Sequence, residues 1–284
     1  MVAQDRELVW GALSSTITEH WPEYLMEAAE LALFMVSACT VGALLAYPGS
    51  PIHQWITDPF ARRLAGGLAM AATALAIIYS PWGKQSGAHM NPAISLTYLR
   101  LKKLQPADAL FYAIAQFFGG VAGVVISSLC LGMAVSDRAV KFAVTQPGPA
   151  GWKVAFLAEV AISFVLVLTV LTVSNHKNLT RYTPLFAATL IATYITFESP
   201  LSGMSMNPAR TFGSAFIAQS FESLWLYFVA PPIGMLLAAE VFVRTRSIQA
   251  VYCAKFHHDN AERCIFRCKY SELIKAHQPG EANR

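Results

Sequence analysis

Six long stretches of this chain consist mainly of apolar residues, and more polar segments separate them. The stretches cover residues 23–47, 64–80, 109–135, 154–174, 182–197 and 223–243. A helix of about 20 apolar residues is long enough to cross the hydrocarbon core of a bilayer. The pattern therefore predicts six transmembrane helices, several of which end at a proline or a cluster of basic residues.

Two further apolar runs, 94–99 and 211–218, are too short to cross a bilayer. Each follows a copy of the same octapeptide, which begins at Ser86 and again at Ser202, and six of the eight residues are identical. Both copies contain Asn-Pro, which is typical of a helix cap followed by the first helical residue. We expect two half-helices that enter the membrane without crossing it.

The order of these elements is three long helices and one half-helix, repeated once. Because three is odd, the second copy enters the membrane from the opposite side, which is the arrangement of an inverted repeat. The prediction is an all-α membrane protein with six transmembrane helices and two re-entrant half-helices. Its parts are an N-terminal segment 1–22, a membrane domain 23–245 with repeats at about 23–135 and 152–245, and a tail 246–284.

Composition and charge agree with a membrane protein. Only 13% of the residues are charged and 55% are hydrophobic, whereas a soluble domain has about 25% charged residues. With a net charge of +4 and no basic face that includes aromatic residues, nucleic acid is not an expected partner. The predicted topology puts fifteen of the 21 Lys and Arg residues on the side of the termini. This bias predicts a multi-pass protein of the cell membrane with both termini in the cytoplasm.

The two half-helices suggest a function for the repeat. Each begins at an Asn, Asn91 or Asn207, so its free N–H groups and positive dipole end point into the membrane. Inverted symmetry would bring the two ends together near the midplane. Such a positive barrier repels protons and cations, so the predicted substrates are neutral molecules.

Paired Asn-Pro-Ala motifs, the second followed by Arg210, resemble the aquaporin (major intrinsic protein) family. The resemblance extends from residue 23 to about 243. It implies a passive channel rather than an enzyme, with no cofactor, in the lipid bilayer and assembled as a homotetramer. It places the following motif residues at the centre of the pore: Asn91, Pro92, Ala93, Asn207, Pro208 and Ala209.

The resemblance also implies one buried structural glutamate in each repeat, which accepts backbone N–H groups of the re-entrant loop. Glu159 matches in the second repeat. In the first repeat the choice lies between Glu27 and Glu30, one helical turn apart, and we prefer Glu27.

A gap-free count from the motifs places Ala71, Ile195, Met204 and Arg210 at the family's selectivity constriction. Water-selective members have an aromatic residue and a His where this chain has Ala71 and Ile195. Their absence predicts a wider channel for water that also admits ammonia, urea or hydrogen peroxide.

A glycerol facilitator is the first alternative, although Thr211 and Ala215 replace the Asp and Lys typical of that branch. A secondary transporter is less favoured, because the central residues are neutral Asn.

The tail contains a group of Cys and His residues: Cys253, His257, His258, Cys264 and Cys268. If the tail formed two short helices, pairs at i and i+4 could converge into a zinc site. A redox-active thiol pair and a solvated tail with incidental cysteines are the other interpretations. We favour the last and predict no metal site.

Overall fold

The computed structural model describes the backbone of residues 2–275 and the side chains of residues 15–274. Residue 1 and residues 276–284, the two ends of the predicted terminal segments, lie outside the described residues. In chain order the described α-helices are α1 (Val2–Ala46), α2 (Pro51–Trp55), α3 (Pro59–Tyr79), α4 (Pro81–Ser86), α5 (Pro92–Arg100), α6 (Pro106–Leu131), α7 (Met133–Ser136), α8 (Trp152–Ser174), α9 (Thr183–Phe197), α10 (Ser199–Ser202), α11 (Pro208–Ala218), α12 (Leu224–Arg246) and α13 (Tyr270–Lys275).

Five helices of the described part are long and apolar enough to cross a membrane: α1, α3, α6, α8 and α12. The sixth predicted membrane helix forms as α9, but it has only 15 residues. A 3₁₀ turn, Thr180–Tyr182, leads into it, and the short α10 follows it after Glu198. At about 1.5 Å per residue, α9 needs these flanking turns to approach the thickness of a bilayer.

Several boundaries differ from the sequence-based prediction. Helix α3 begins at Pro59 rather than at residue 64, because the Asp58 side chain caps it there. Helix α1 begins at Val2 and continues through Pro22 without a break. The predicted boundary between the N-terminal segment and the first membrane helix, at residue 22, therefore lies inside one helix. Helix α6 ends at Leu131 rather than at residue 135, because Gly132 has a positive φ of 53° that no α-helix contains.

The helices pack as two equivalent halves. Helix α1 lies against α6, and α8 lies against α12, while α3 and α9 meet between the halves. Each half-helix crosses to the other repeat, since α5 contacts α12 and α11 contacts α6. The exchange confirms the predicted inverted repeat and places the starts of α5 and α11 in the centre of the molecule.

Glycines allow the closest of these helix contacts. A Cβ on Gly119 would lie 2.1 Å from the Ala28 carbonyl oxygen of α1, and one on Gly123 would lie 2.4 Å from that of Ala32. A Cβ on Gly120 would lie 2.7 Å from the Ala209 carbonyl oxygen of α11. These small residues therefore join helices within one subunit, as small residues commonly do in membrane proteins.

Candidate functional site

Both half-helices begin with the expected cap. The Asn91 side-chain oxygen accepts a hydrogen bond from Ala93 N at 2.9 Å. The Asn207 side-chain oxygen accepts from Ala209 N at 3.0 Å and Arg210 N at 3.2 Å. In each case Pro is the first helical residue, where its missing N–H costs nothing.

The two caps also bind each other's loops. Asn91 Nδ2 donates to the carbonyl oxygen of Met206 at 2.7 Å, and Asn207 Nδ2 donates to that of Met90, also at 2.7 Å. Because an amide group has two N–H donors, each Asn keeps one for a molecule in the pore. The half-helix ends are thus fixed face to face.

A buried carboxylate holds each re-entrant loop. Glu27 accepts from His89 N at 2.7 Å and from Met90 N at 2.6 Å. Glu159 accepts from Ser205 N and Met206 N, both at 2.7 Å. Between the two candidates of α1, only Glu27 makes these backbone contacts. Its neighbour Glu30 accepts from Ser86 Oγ at 2.8 Å.

Sequence reasoning missed a second pair of supports. Tyr112 donates its hydroxyl to the Ser86 carbonyl oxygen, and Tyr227 does the same to Ser202. Both tyrosines are fully buried. The signal was available, because the two tyrosines lie 115 residues apart and the octapeptides 116 apart, which makes them partners under the repeat.

A cavity of about 610 Å³ passes between the half-helix starts and has Asn91 and Asn207 in its wall. At one end, here called the Arg210 side, it is lined by His53, Arg62 and Arg63. At the other end, the tail side, Phe256 forms part of the wall. None of the described lining residues is Asp or Glu, so the fixed charge along the cavity is positive.

Three of the four predicted constriction residues line this cavity: Ile195, Met204 and Arg210. The prediction for Ala71 was wrong, because Ala71 is not part of the wall. Helix α3 instead presents a stripe at four-residue spacing: Gly66, Met70, Ala74 and Ile78. Ala71 lies one helical turn after Gly67, where a Cβ would lie 2.6 Å from the Ala192 carbonyl oxygen of α9, so this face packs against α9. The gap-free count is therefore displaced by one residue.

Arg210 is a donor that faces the cavity. Its Nη1 atom is buried and has no hydrogen-bond partner among the described residues. A buried, unpaired guanidinium nitrogen is costly unless something polar reaches it. A molecule in the cavity can therefore accept a hydrogen bond from Arg210.

The tail differs from the prediction in two ways. Residues 251–269, here called the tail segment, contain no α-helix, so the i, i+4 argument does not apply. The sulfur atoms of Cys253, Cys264 and Cys268 nevertheless converge, and they meet His258 rather than His257. The His257 ring lies instead against the Tyr79 ring, with ring centres 5.0 Å apart, and burial together with the Lys84 charge lowers the pKa of His257.

The tail segment also touches the loop that carries the first motif. His89 Nε2 and the Ala254 carbonyl oxygen are 2.9 Å apart, and Phe266 stacks on the His89 ring at 5.4 Å. Phe256 N donates to the Gly87 carbonyl oxygen at 3.2 Å. Sequence reasoning gave no sign of this contact.

Crossed helices, two facing half-helices and a central cavity of positive charge define the class of a re-entrant-loop membrane channel. The comparison with known families agrees: a model described as Major intrinsic protein matches residues 15–242. The chain belongs to this family of passive channels, and it is not an enzyme.

Individual relatives cover much of the chain. Aquaporin NIP2-3 from Zea mays is 29% identical over 85% of this chain and 77% of its own length. Glycerol uptake facilitator protein-like 6 from Lactiplantibacillus plantarum is 33% identical over 64% of this chain and 83% of its own. The structure of the aquaglyceroporin from Plasmodium falciparum matches with a TM-score of 0.65 and 20% identity, covering 81% of this chain and 98% of that one, which supports the fold.

Proposed function

We propose that the chain is a channel for water that also passes small neutral solutes such as ammonia, urea and hydrogen peroxide, and that it excludes protons and ions. The observation that carries this proposal is the pair of facing caps, Asn91 and Asn207, in the wall of one cavity. Their remaining amide N–H groups can donate to a passing oxygen, while the half-helix dipoles oppose a cation.

The charge of the wall supports ion exclusion. Arg62, Arg63 and Arg210 line the Arg210 side, and no described lining residue carries a negative charge. A cation in this cavity would lose its hydration without gaining an anionic partner, which is unfavourable at membrane depth. A neutral molecule meets no such barrier.

The shape of the wall supports solutes beyond water. Around Arg210 the lining includes Ile195, Met204 and Met70, and it contains no aromatic ring from α3. Methionine side chains are flexible and adjust to guests of different shape. An apolar wall with one strong donor fits a small neutral solute that carries a carbonyl or hydroxyl oxygen.

A glycerol facilitator is the second candidate. One relative with 33% identity carries the name of a glycerol uptake facilitator-like protein, and the wall opposite Arg210 has the apolar character that a carbon backbone requires. Water remains the first candidate because Thr211 and Ala215 replace the charged pair typical of glycerol channels. Rapid glycerol uptake together with little osmotic water flux would reverse this order.

We further propose a homotetramer in the cell membrane with both termini in the cytoplasm. The excess of Lys and Arg on the side of the termini supports the orientation. Large apolar side chains exposed on the outer helix faces, such as Leu110, Phe118 and Leu129 of α6, support contact with lipid or with neighbouring subunits.

Purified protein in lipid vesicles tests the function. We expect osmotic shrinkage well above that of empty vesicles, with uptake of urea and peroxide and with no acidification of an enclosed pH dye. The variant Arg210→Ala should speed solute uptake and admit protons, because it removes both a bulky side chain and a positive charge from the cavity wall. Arg246→Ala, at the exposed end of α12 and outside the cavity wall, is the matched control and should keep protons out. Water flux equal to that of empty vesicles would refute the channel for water.

A further inference from the structure

The tail segment brings four metal-binding side chains to one point. The ligand atoms of Cys253, His258, Cys264 and Cys268 all lie within 4.8 Å of one another. They come from 16 consecutive residues without regular helix. Three thiols and one imidazole at this density form one of the common donor sets of structural zinc sites.

The distances fit a tetrahedral ion better than a disulfide. The Cys253 and Cys264 sulfurs are 3.6 Å apart, whereas a disulfide bond is about 2.05 Å long. Two thiolates bound to one zinc ion at about 2.3 Å each lie about 3.8 Å apart when the geometry is tetrahedral. The Cys268 sulfur lies 3.0 Å from His258 Nε2, so that nitrogen faces the same point.

Neighbouring groups support the four side chains in this arrangement. The His258 ring stacks on Tyr270, with ring centres 4.3 Å apart, and this fixes the direction of Nε2. The Tyr270 backbone N–H donates to the Cys268 sulfur at 3.4 Å. Such outer contacts orient metal ligands and stabilise a thiolate.

A buried lysine has an explanation in the same cluster. Lys255 is only 2% exposed, and its Nζ donates to the carbonyl oxygens of Glu262 and Arg263. Its charge is close enough to interact with all three tail sulfurs. Three thiolates around a divalent ion have a net charge of −1, so a buried Lys beside them compensates the charge.

We propose that the tail segment binds one zinc ion through four ligands: Cys253, His258, Cys264 and Cys268. Structural zinc suits this segment, because a chain of this kind without helices or strands cannot fix its own shape by backbone hydrogen bonds alone. The proposal concerns the tail and does not depend on which solute the channel conducts.

The site would hold the tail segment against the pore entrance. Phe256, which lines the cavity, lies between the ligands Cys253 and His258. Phe266, which stacks on His89, lies between Cys264 and Cys268. Tyr252 N donates to Asn175 Oδ1 at the end of α8. The metal would therefore fix the backbone on either side of the two rings that contact the first re-entrant loop and its cavity.

The test is the metal content of the full-length protein, purified from zinc-supplemented cells through a tag that binds no metal. We expect about one zinc per chain by mass spectrometry. Cys264→Ser and His258→Ala should reduce zinc to background. The matched controls are His257→Ala, the adjacent histidine outside the cluster, and Cys130→Ser, an exposed cysteine on α6; both should retain the metal.

A second measurement covers the case in which the ligand variants do not fold. Wild-type protein stripped with a chelator and loaded with Co²⁺ should show thiolate-to-cobalt charge-transfer absorption and the d–d bands of a tetrahedral site. Wild-type protein that contains no zinc and gives no such spectrum would overturn the proposal. So would intact mass that shows Cys253 and Cys264 joined by a disulfide, or loss of zinc from His257→Ala but not from His258→Ala.

Discussion

At the scale of single residues, the carboxylates of α1 show how one helical turn changes a role. Glu27 accepts two backbone N–H groups and the Gln116 amide, whereas Glu30 accepts only the Ser86 hydroxyl among the described side chains and backbone. Both side chains are buried. Their separation of three residues puts them on overlapping faces of the helix, so the sequence alone could not choose between them.

These contacts make different predictions for two matched substitutions. Glu27→Gln replaces an oxygen that accepts N–H groups by an amide nitrogen that cannot, and it leaves at least one buried donor unpaired. We expect a loss of about 2–4 kcal/mol of folding free energy. Glu30→Gln keeps an oxygen for Ser86 and should cost less than about 1 kcal/mol. Thermal unfolding of the two variants in detergent measures the difference, and equal losses would contradict this assignment.

The residues that sequence analysis placed best are those whose role is local. Asn91 and Asn207 cap the helices that follow them directly, so the motif itself determines their contacts. Ala71 was misplaced because its role depends on the rotation of α3 against α9. A gap-free count carries no information about that rotation, and an error of one residue turns a helix position by about 100°.

At the scale of helices, the glycines of α6 determine how closely its neighbours approach. Gly119 and Gly123 face backbone carbonyl groups of α1, and Gly120 faces one of α11. The half-helix that starts at Pro208 therefore approaches α6 most closely at Gly120, where no side chain separates the two backbones. The sequence contains these glycines in plain view, but whether they join helices within or between subunits is a question of tertiary structure.

Gly119→Ala tests this contact. Alanine favours a helix over glycine by about 1 kcal/mol, but its Cβ would lie 2.1 Å from the Ala28 carbonyl oxygen and would push α1 away. We expect a net loss of about 1–3 kcal/mol and a lower yield of folded protein. Ala122→Val, which adds two methyl groups on an exposed face of α6, is the control and should be tolerated. Similar yields for both variants would exclude the close approach as a determinant of stability.

At the scale of the whole molecule, the internal repeat made the helix topology predictable from the sequence, whereas the shape of the tail segment was not predictable. The two octapeptides and the alternation of apolar stretches were enough to predict the inverted topology, because each element appears twice and each copy constrains the other. The tail segment appears once, has no helical or strand period, and takes its shape from contacts with His89, Gly87 and Asn175. No pattern in the chain encodes those partners.

The tail segment and the channel are connected at Phe256, and this gives the last prediction. The Phe256 side chain is 6% exposed and lines the cavity at the tail side. Its backbone N–H donates to the Gly87 carbonyl oxygen of the first re-entrant loop. Phe256→Ala keeps that backbone contact and removes the ring from the wall. We therefore expect a severalfold rise in osmotic water permeability per chain in vesicles, with proton exclusion unchanged because Arg210 and both half-helix caps remain.

His257→Ala changes the next residue, which does not line the cavity, and should leave the permeability as it is. If Phe256→Ala and His257→Ala conduct water equally, the ring does not restrict the pore, and the tail segment acts only as a support for the loop above it.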